Sequence, residues 1–135
     1  PSEAAMNPDF AKGEGLHHIH LIAPTTPPER QANLAQSSQG FIYALSRTGV
    51  TGGHSAPSET IGELVTSIKA RTDTPICVGF GIGTPEHATM VAKKADGVIV
   101  GSAIVKTIEI NADSPVVVSK LREFVTPLIE ATHRA

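Results

Sequence analysis

The chain has 135 residues, 40% of them hydrophobic and 18% charged, with a formal net charge of −2. That is room for one modest domain with a real core, and the charge balance offers nothing to nucleic acid or an anionic membrane surface. No stretch approaches the ~20 apolar residues of a membrane span, and no charged start precedes an apolar signal core.

Pro1 opens the chain without an initiator methionine, which fits a piece of a longer polypeptide. Residues 1–15 hold no strand pattern and read as a helix and loop following an absent strand. Ile19-His20-Leu21-Ile22 is the first short apolar run, and Pro28 to Gln36 the first, weak, helical stretch. Phe41 to Leu45 is the second run. Ile61, Leu64, Val65 and Ile68 then recur at helical spacing, entered through Ser55-Ala56-Pro57-Ser58. Ile76-Cys77-Val78-Gly79-Phe80 is the third run. Its cysteine is the only one in the chain, which excludes an intramolecular disulfide and fits a reducing, cytoplasmic setting. Within an apolar run, Cys77 reads as a small buried hydrophobe.

Thr84-Pro85-Glu86 supplies an N-cap hydroxyl, a proline at the first helical position and an acid in the first turn. Ala88, Val91, Ala92 and Ala95 continue that helix. Val98-Ile99-Val100 is the last strand-like run. Ser114-Pro115 starts a final helix with Val117, Leu121, Phe124, Val125 and Leu128 on one stripe, which Pro127 is expected to kink or shorten. Runs this short and continuously apolar are typical of strands buried on both faces of a parallel sheet. Strand and helix alternate four times, so the expected class is α/β with right-handed crossovers. A complete (β/α)₈ barrel needs ~250 residues, so this chain can supply about half of one.

Three glycine-bearing segments leave the carboxyl ends of these strands, where parallel α/β proteins put ligand-contacting loops. Ser46-Arg47-Thr48-Gly49-Val50-Thr51-Gly52-Gly53-His54 follows the second strand. Its glycines let backbone amides approach an anion closely and give a loop that can hinge. Gly79-Phe80-Gly81-Ile82-Gly83 follows the third strand, and Gly101-Ser102-Ala103-Ile104-Val105 turns the fourth into a short helical stretch. A Gly-Ser step opening a helix suits a phosphate, because free amides, helix dipole and hydroxyl all converge there. Together the three segments point to a phosphorylated ligand.

The string Tyr43-Ala44-Leu45-Ser46-Arg47-Thr48-Gly49-Val50-Thr51-Gly52 resembles the signature of the tryptophan synthase α-subunit family. Gly79-Phe80-Gly81-Ile82 and Gly101-Ser102-Ala103-Ile104-Val105-Lys106 resemble it too, as does Leu21-Ile22-Ala23-Pro24-Thr25-Thr26 at the end of the family's fifth strand. The likeness covers essentially the whole chain. It implies a C-terminal half-barrel of TIM type, carrying strands five to eight as a single domain over residues 1–135, with residues 1–15 following a missing strand four.

The resemblance implies retro-aldol cleavage of indole-3-glycerol phosphate to indole and glyceraldehyde 3-phosphate, in tryptophan biosynthesis. It implies that Gly52, Gly81, Gly101 and Ser102 cradle the substrate phosphate. It implies that Leu21, Tyr43, Phe80 and Ile99 line the indole pocket, with the Tyr43 hydroxyl near the reacting centre. Thr51 would sit on the loop that closes over substrate, with Arg47 bracing its base. The family's two catalytic carboxylates come from its second strand and the loop after it, outside this sequence. Glu59, Glu63 and Glu86 fall on helices and do not replace them. No cofactor is expected here, since pyridoxal phosphate belongs to the partner β subunit that receives the indole.

His18 and His20 share a strand face, which would suit a metal, but the parity that turns Leu21 and Tyr43 inward turns them toward the helices. No metal site is expected, His54 reads as an exposed loop residue and Lys93-Lys94 as a solvated helix face. Two other readings stay open. One is a non-catalytic phosphate-binding half-barrel, a relic or an engineered unit. The other is a relative of indole-glycerol-phosphate synthase, against which stands the lack of a lysine at a strand end. With two open sheet edges, the half-barrel is expected to pair with its missing N-terminal half or with a second copy of itself.

Overall fold

The computed structural model describes residues 13–46, 57–79 and 81–135. Four strands form one sheet: β1 (Leu21–Ile22), β2 (Ile42–Leu45), β3 (Ile76–Gly79) and β4 (Gly97–Ile99). Their spatial order is their chain order, and every neighbouring pair is parallel. Each crossover therefore steps the same way around the sheet, the progression of a (β/α) barrel rather than of a sheet that reverses at a switch point.

The connections are α1 (Pro28–Ser37), α2 (Pro57–Lys69) and α3 (Pro85–Ala92), followed by α4 (Ser102–Ile110) and α5 (Val117–His133). The helical periodicities translate directly into packing. Ile61, Leu64, Val65 and Ile68 of α2 and Ala88 and Val91 of α3 are all buried. Thr84 caps α3 as expected, its hydroxyl accepting from the His87 amide at 3.3 Å. Gln31 of α1 donates to the Thr26 carbonyl and accepts from the Ser67 hydroxyl, tying the first turn and two helices together.

The core lies between the sheet and the helices. Ile22, Ile42, Ala44, Ile76 and Val78 enter it from the strands, each at most 1% exposed. Burying an isoleucine side chain that completely contributes about 2–3 kcal/mol. The alternate residues point the other way, where Leu21 is 57% exposed. The apolar runs implied strands buried on both faces. Among the described residues only the helix-side face is covered, and the opposite face, which would line a barrel, carries no second layer.

Two local expectations need correction. The last helix starts at Val117, after a turn in which the Ser114 hydroxyl accepts from the Val116 amide. It also runs through Pro127 to His133 rather than ending there. Pro127 removes a donor to the Glu123 carbonyl, but both residues are exposed, so water can satisfy that oxygen. The short helical stretch expected after Gly101 is a nine-residue helix.

Candidate functional site

The register puts Leu21 beside Tyr43, Tyr43 beside Cys77, and Gly79 beside Ile99. With period-two alternation these residues, Leu45 and Gly97 all line the barrel-interior face. Leu21, Tyr43 and Ile99, the residues the resemblance assigns to an indole pocket, thus share one surface. Phe80 lies outside the described residues, as do Arg47, Thr51, Gly52, His54 and residues 1–12 of the opening segment. Gly15, at the described end of that segment, turns at φ +70°.

Tyr43 does not stand straight off the sheet. Its ring leans toward the carboxyl end of β3 and lies over Gly79. A Cβ on Gly79 would meet the tyrosine Cζ at 2.7 Å and the Ile99 Cβ at 3.0 Å. Gly79 is therefore the seat of the tyrosine ring, and its lack of a side chain puts the hydroxyl near the mouth of the barrel. A glycine opposite an aromatic two positions up the neighbouring strand is the signal that betrays this pairing, but only once the register is known.

Cys77 reads as buried in the sequence, yet it is only partly buried, on the interior face. Its odd parity relative to Ile76 and Val78 decides this. The thiol fills the side-chain space of Gly97, whose Cβ would lie 2.7 Å from the sulfur. Partial burial, then the nearby Asp96 charge, pushes the thiol pKa up. It is a packing group and a poor nucleophile.

At the strand ends, Gly81 adopts φ +76°, a left-handed conformation that only glycine takes freely. The turn it starts runs against the first turn of α4, where a Cβ on Gly83 would touch the Ala103 Cβ at 3.4 Å. Gly101 is the N-cap of α4 and provides no side-chain cap, and nothing lies within 4 Å of where its Cβ would be. The leading amides of that helix have no intrahelical acceptor by geometry, and the dipole leaves partial positive charge there. The contrast with α3 is informative: its N-terminus is closed by Thr84 and Pro85, while that of α4 is open. Gly81, Gly101 and Ser102 are all exposed around this opening.

His20 faces the helix layer as expected, its Nε2 3.2 Å from the Ser37 hydroxyl of α1. Burial, then the neighbouring His18, lowers its pKa, and the two rings lie 4.2 Å apart. Among the described residues, no three histidine, cysteine or acidic side chains gather as a metal site, and no helix is long and apolar enough to cross a membrane. A hollow of about 720 Å³ bordered by Gly62, Glu63, Thr66, Ser67 and Lys94 lies on the outer helical surface. None of the strand-end glycines lines it.

A family model described as tryptophan synthase alpha chain matches residues 1–133. The tryptophan synthase alpha chain of Desulfatibacillum aliphaticivorans is 41% identical over 132 residues, spanning 98% of this chain and 50% of that protein. Among solved structures, tryptophan synthase from Mycobacterium tuberculosis superposes with a TM-score of 0.80 at 36% identity, over 98% of this chain and 48% of that one. A mutant alpha-subunit from the hyperthermophile Pyrococcus furiosus gives 0.77 at 30% identity, over 94% and 50%. The chain thus spans about half the length of the relatives it matches.

Proposed function

Since the chain belongs to the tryptophan synthase alpha chain family, we propose that it serves the cleavage of indole-3-glycerol phosphate to indole and glyceraldehyde 3-phosphate, as the half that holds the substrate. The observation that carries this reading is the uncapped N-terminus of α4 beside the left-handed turn at Gly81. Amides of Gly81, Gly101 and Ser102 bind the phosphate there, with Gly52 closing the cradle. The apolar surface of Leu21, Tyr43 and Ile99, with Phe80, takes the indole. The ring leaning over Gly79 brings the Tyr43 hydroxyl toward the reacting centre, and Thr51 closes over the substrate.

The reaction breaks a carbon–carbon bond while C3 of the indole gains a proton and a glycerol hydroxyl loses one, so it needs a placed acid and base. Among the described residues the interior face, from Leu21 to Ile99, bears no carboxylate. We therefore assign proton transfer to a complementary N-terminal half-barrel. A second copy of this chain repeats the same carboxylate-free face among the described residues. Indole passes on to a β subunit carrying pyridoxal phosphate, and this half needs no cofactor of its own. The setting is the cytoplasm, where the single thiol stays reduced.

Titration with glycerol phosphate, followed through backbone amide shifts, tests the grip. The expected result is saturable movement of Gly81, Gly101 and Ser102. Unmoved amides at those positions remove the phosphate site and leave the enzyme reading without its support. The chain alone is expected to release no indole from the substrate, and to do so when mixed with the complementary half.

A further inference from the structure

We propose that Ser46 is a positioning residue, holding the glycine turn at residues 81–83 in the orientation that grips phosphate. The inference rests on the phosphate reading and adds a residue to it. Ser46 is 2% exposed at the end of β2. Its amide donates to the Gly79 carbonyl at 2.9 Å and its hydroxyl donates to the same oxygen at 3.1 Å. The amide bond is an ordinary continuation of the parallel ladder, while the hydroxyl bond is an addition that alanine lacks.

That carbonyl belongs to the peptide plane leading out of β3, two residues before Gly81 turns at φ +76°. The other side of Gly79 is occupied by the Tyr43 ring, within 2.7 Å of where a Cβ would sit. Tyr43 of β2 and Ser46 just after it thus hold the last residue of β3 at two points: the tyrosine over its Cα and the serine on its carbonyl. The peptide cannot rotate without losing a buried bond or striking the ring. Its orientation sets the direction in which Gly81–Gly83 runs, and this turn abuts Ala103 in the first turn of α4. A tilt at Gly79 therefore opens the gap between the two glycine segments that must hold one phosphate.

The test uses the 135-residue chain, glycerol phosphate as probe, and the variants Ser46→Ala and Ser46→Thr. Loss of the buried hydroxyl bond to the Gly79 carbonyl is expected to weaken binding about five-fold in Ser46→Ala, with the threonine hydroxyl restoring it. Equal affinities in wild type and Ser46→Ala, with thermal stability alone reduced, overturn the proposal and leave a purely structural serine. A wild type that does not bind overturns the phosphate reading instead. Hydrogen exchange on the unmodified chain gives a check independent of any variant. Because coupling is reciprocal, a clamp that favours binding must itself be tightened by it. Saturating glycerol phosphate is expected to slow exchange of the Ser46 amide in step with Gly81. Protection at Gly81 and Gly101 with an unchanged Ser46 rate overturns the clamp.

Discussion

At the scale of the residue, Gly79 and Gly97 are occupied positions without side chains of their own. The Tyr43 ring fills the first and the Cys77 thiol the second. Gly79→Ala forces its new methyl against Cζ of the ring and the Ile99 Cβ, both attached to backbone that cannot withdraw far. It is expected to lower stability by about 1–3 kcal/mol, the usual cost of overpacking. Combining it with Tyr43→Leu should recover part of that loss, since the two sites share one volume, and denaturant midpoints of the single and double variants measure the coupling. Strictly additive losses would show that the ring does not sit where the glycine makes room.

At the scale of the element, the end of α2, the start of β3 and the start of β4 meet at Asp96. One carboxylate oxygen accepts from the Ile76 amide at 2.9 Å and the other from the Lys69 ammonium at 2.8 Å. The lysine first, then the backbone amide, hold its pKa below the ordinary aspartate value. A carboxylate depressed in the folded state contributes stability that is present above its unfolded pKa, about 3.9, and is lost as pH falls through the lower folded value. The ion pair is 47% and 40% exposed, so solvent screening limits the effect to about 1 kcal/mol. Urea midpoints of wild type and Asp96→Asn should therefore differ at pH 6 and converge below pH 4. A constant gap across that range would mean that the charge is not what binds the three elements. The pair lies at the amino ends of the strands, where a barrel keeps its structural contacts, while the glycine turns occupy the opposite end.

At the scale of the whole molecule, the helices described cover one face of the sheet and leave the other bare among the described residues. Leu21 is more than half exposed on the bare side, and the first and last strands, Leu21–Ile22 and Gly97–Ile99, are unpaired along their outer edges among the described residues. Unpaired parallel edges and exposed apolar side chains drive association. Native mass spectrometry of the chain alone is expected to show self-associated species, and addition of a complementary half-barrel to convert them to a one-to-one complex. A persistent monomer at micromolar concentration would show that water tolerates this face.

Much of this was legible in the order of residues. Apolar runs located all four strands, periods in α2 and α3 named the buried residues, and the Gly81 and Gly101-Ser102 motifs marked the turns that converge at the mouth. These features are local: they follow from side-chain period, capping chemistry and the conformational freedom of glycine. Which face of each strand meets helices and which meets the barrel axis is set by parity against neighbouring strands, so Cys77 could not be told from Val78 by its apolar surroundings. The same holds for Tyr43 over Gly79 and for the bonds from Ser46 to the Gly79 carbonyl, which join residues more than thirty positions apart. The sequence by itself determined the parallel half-barrel sheet and the glycine turns at its carboxyl end. Only the tertiary structure decided which glycines are seats for neighbouring side chains, because that depends on strand register, a relation no single segment contains.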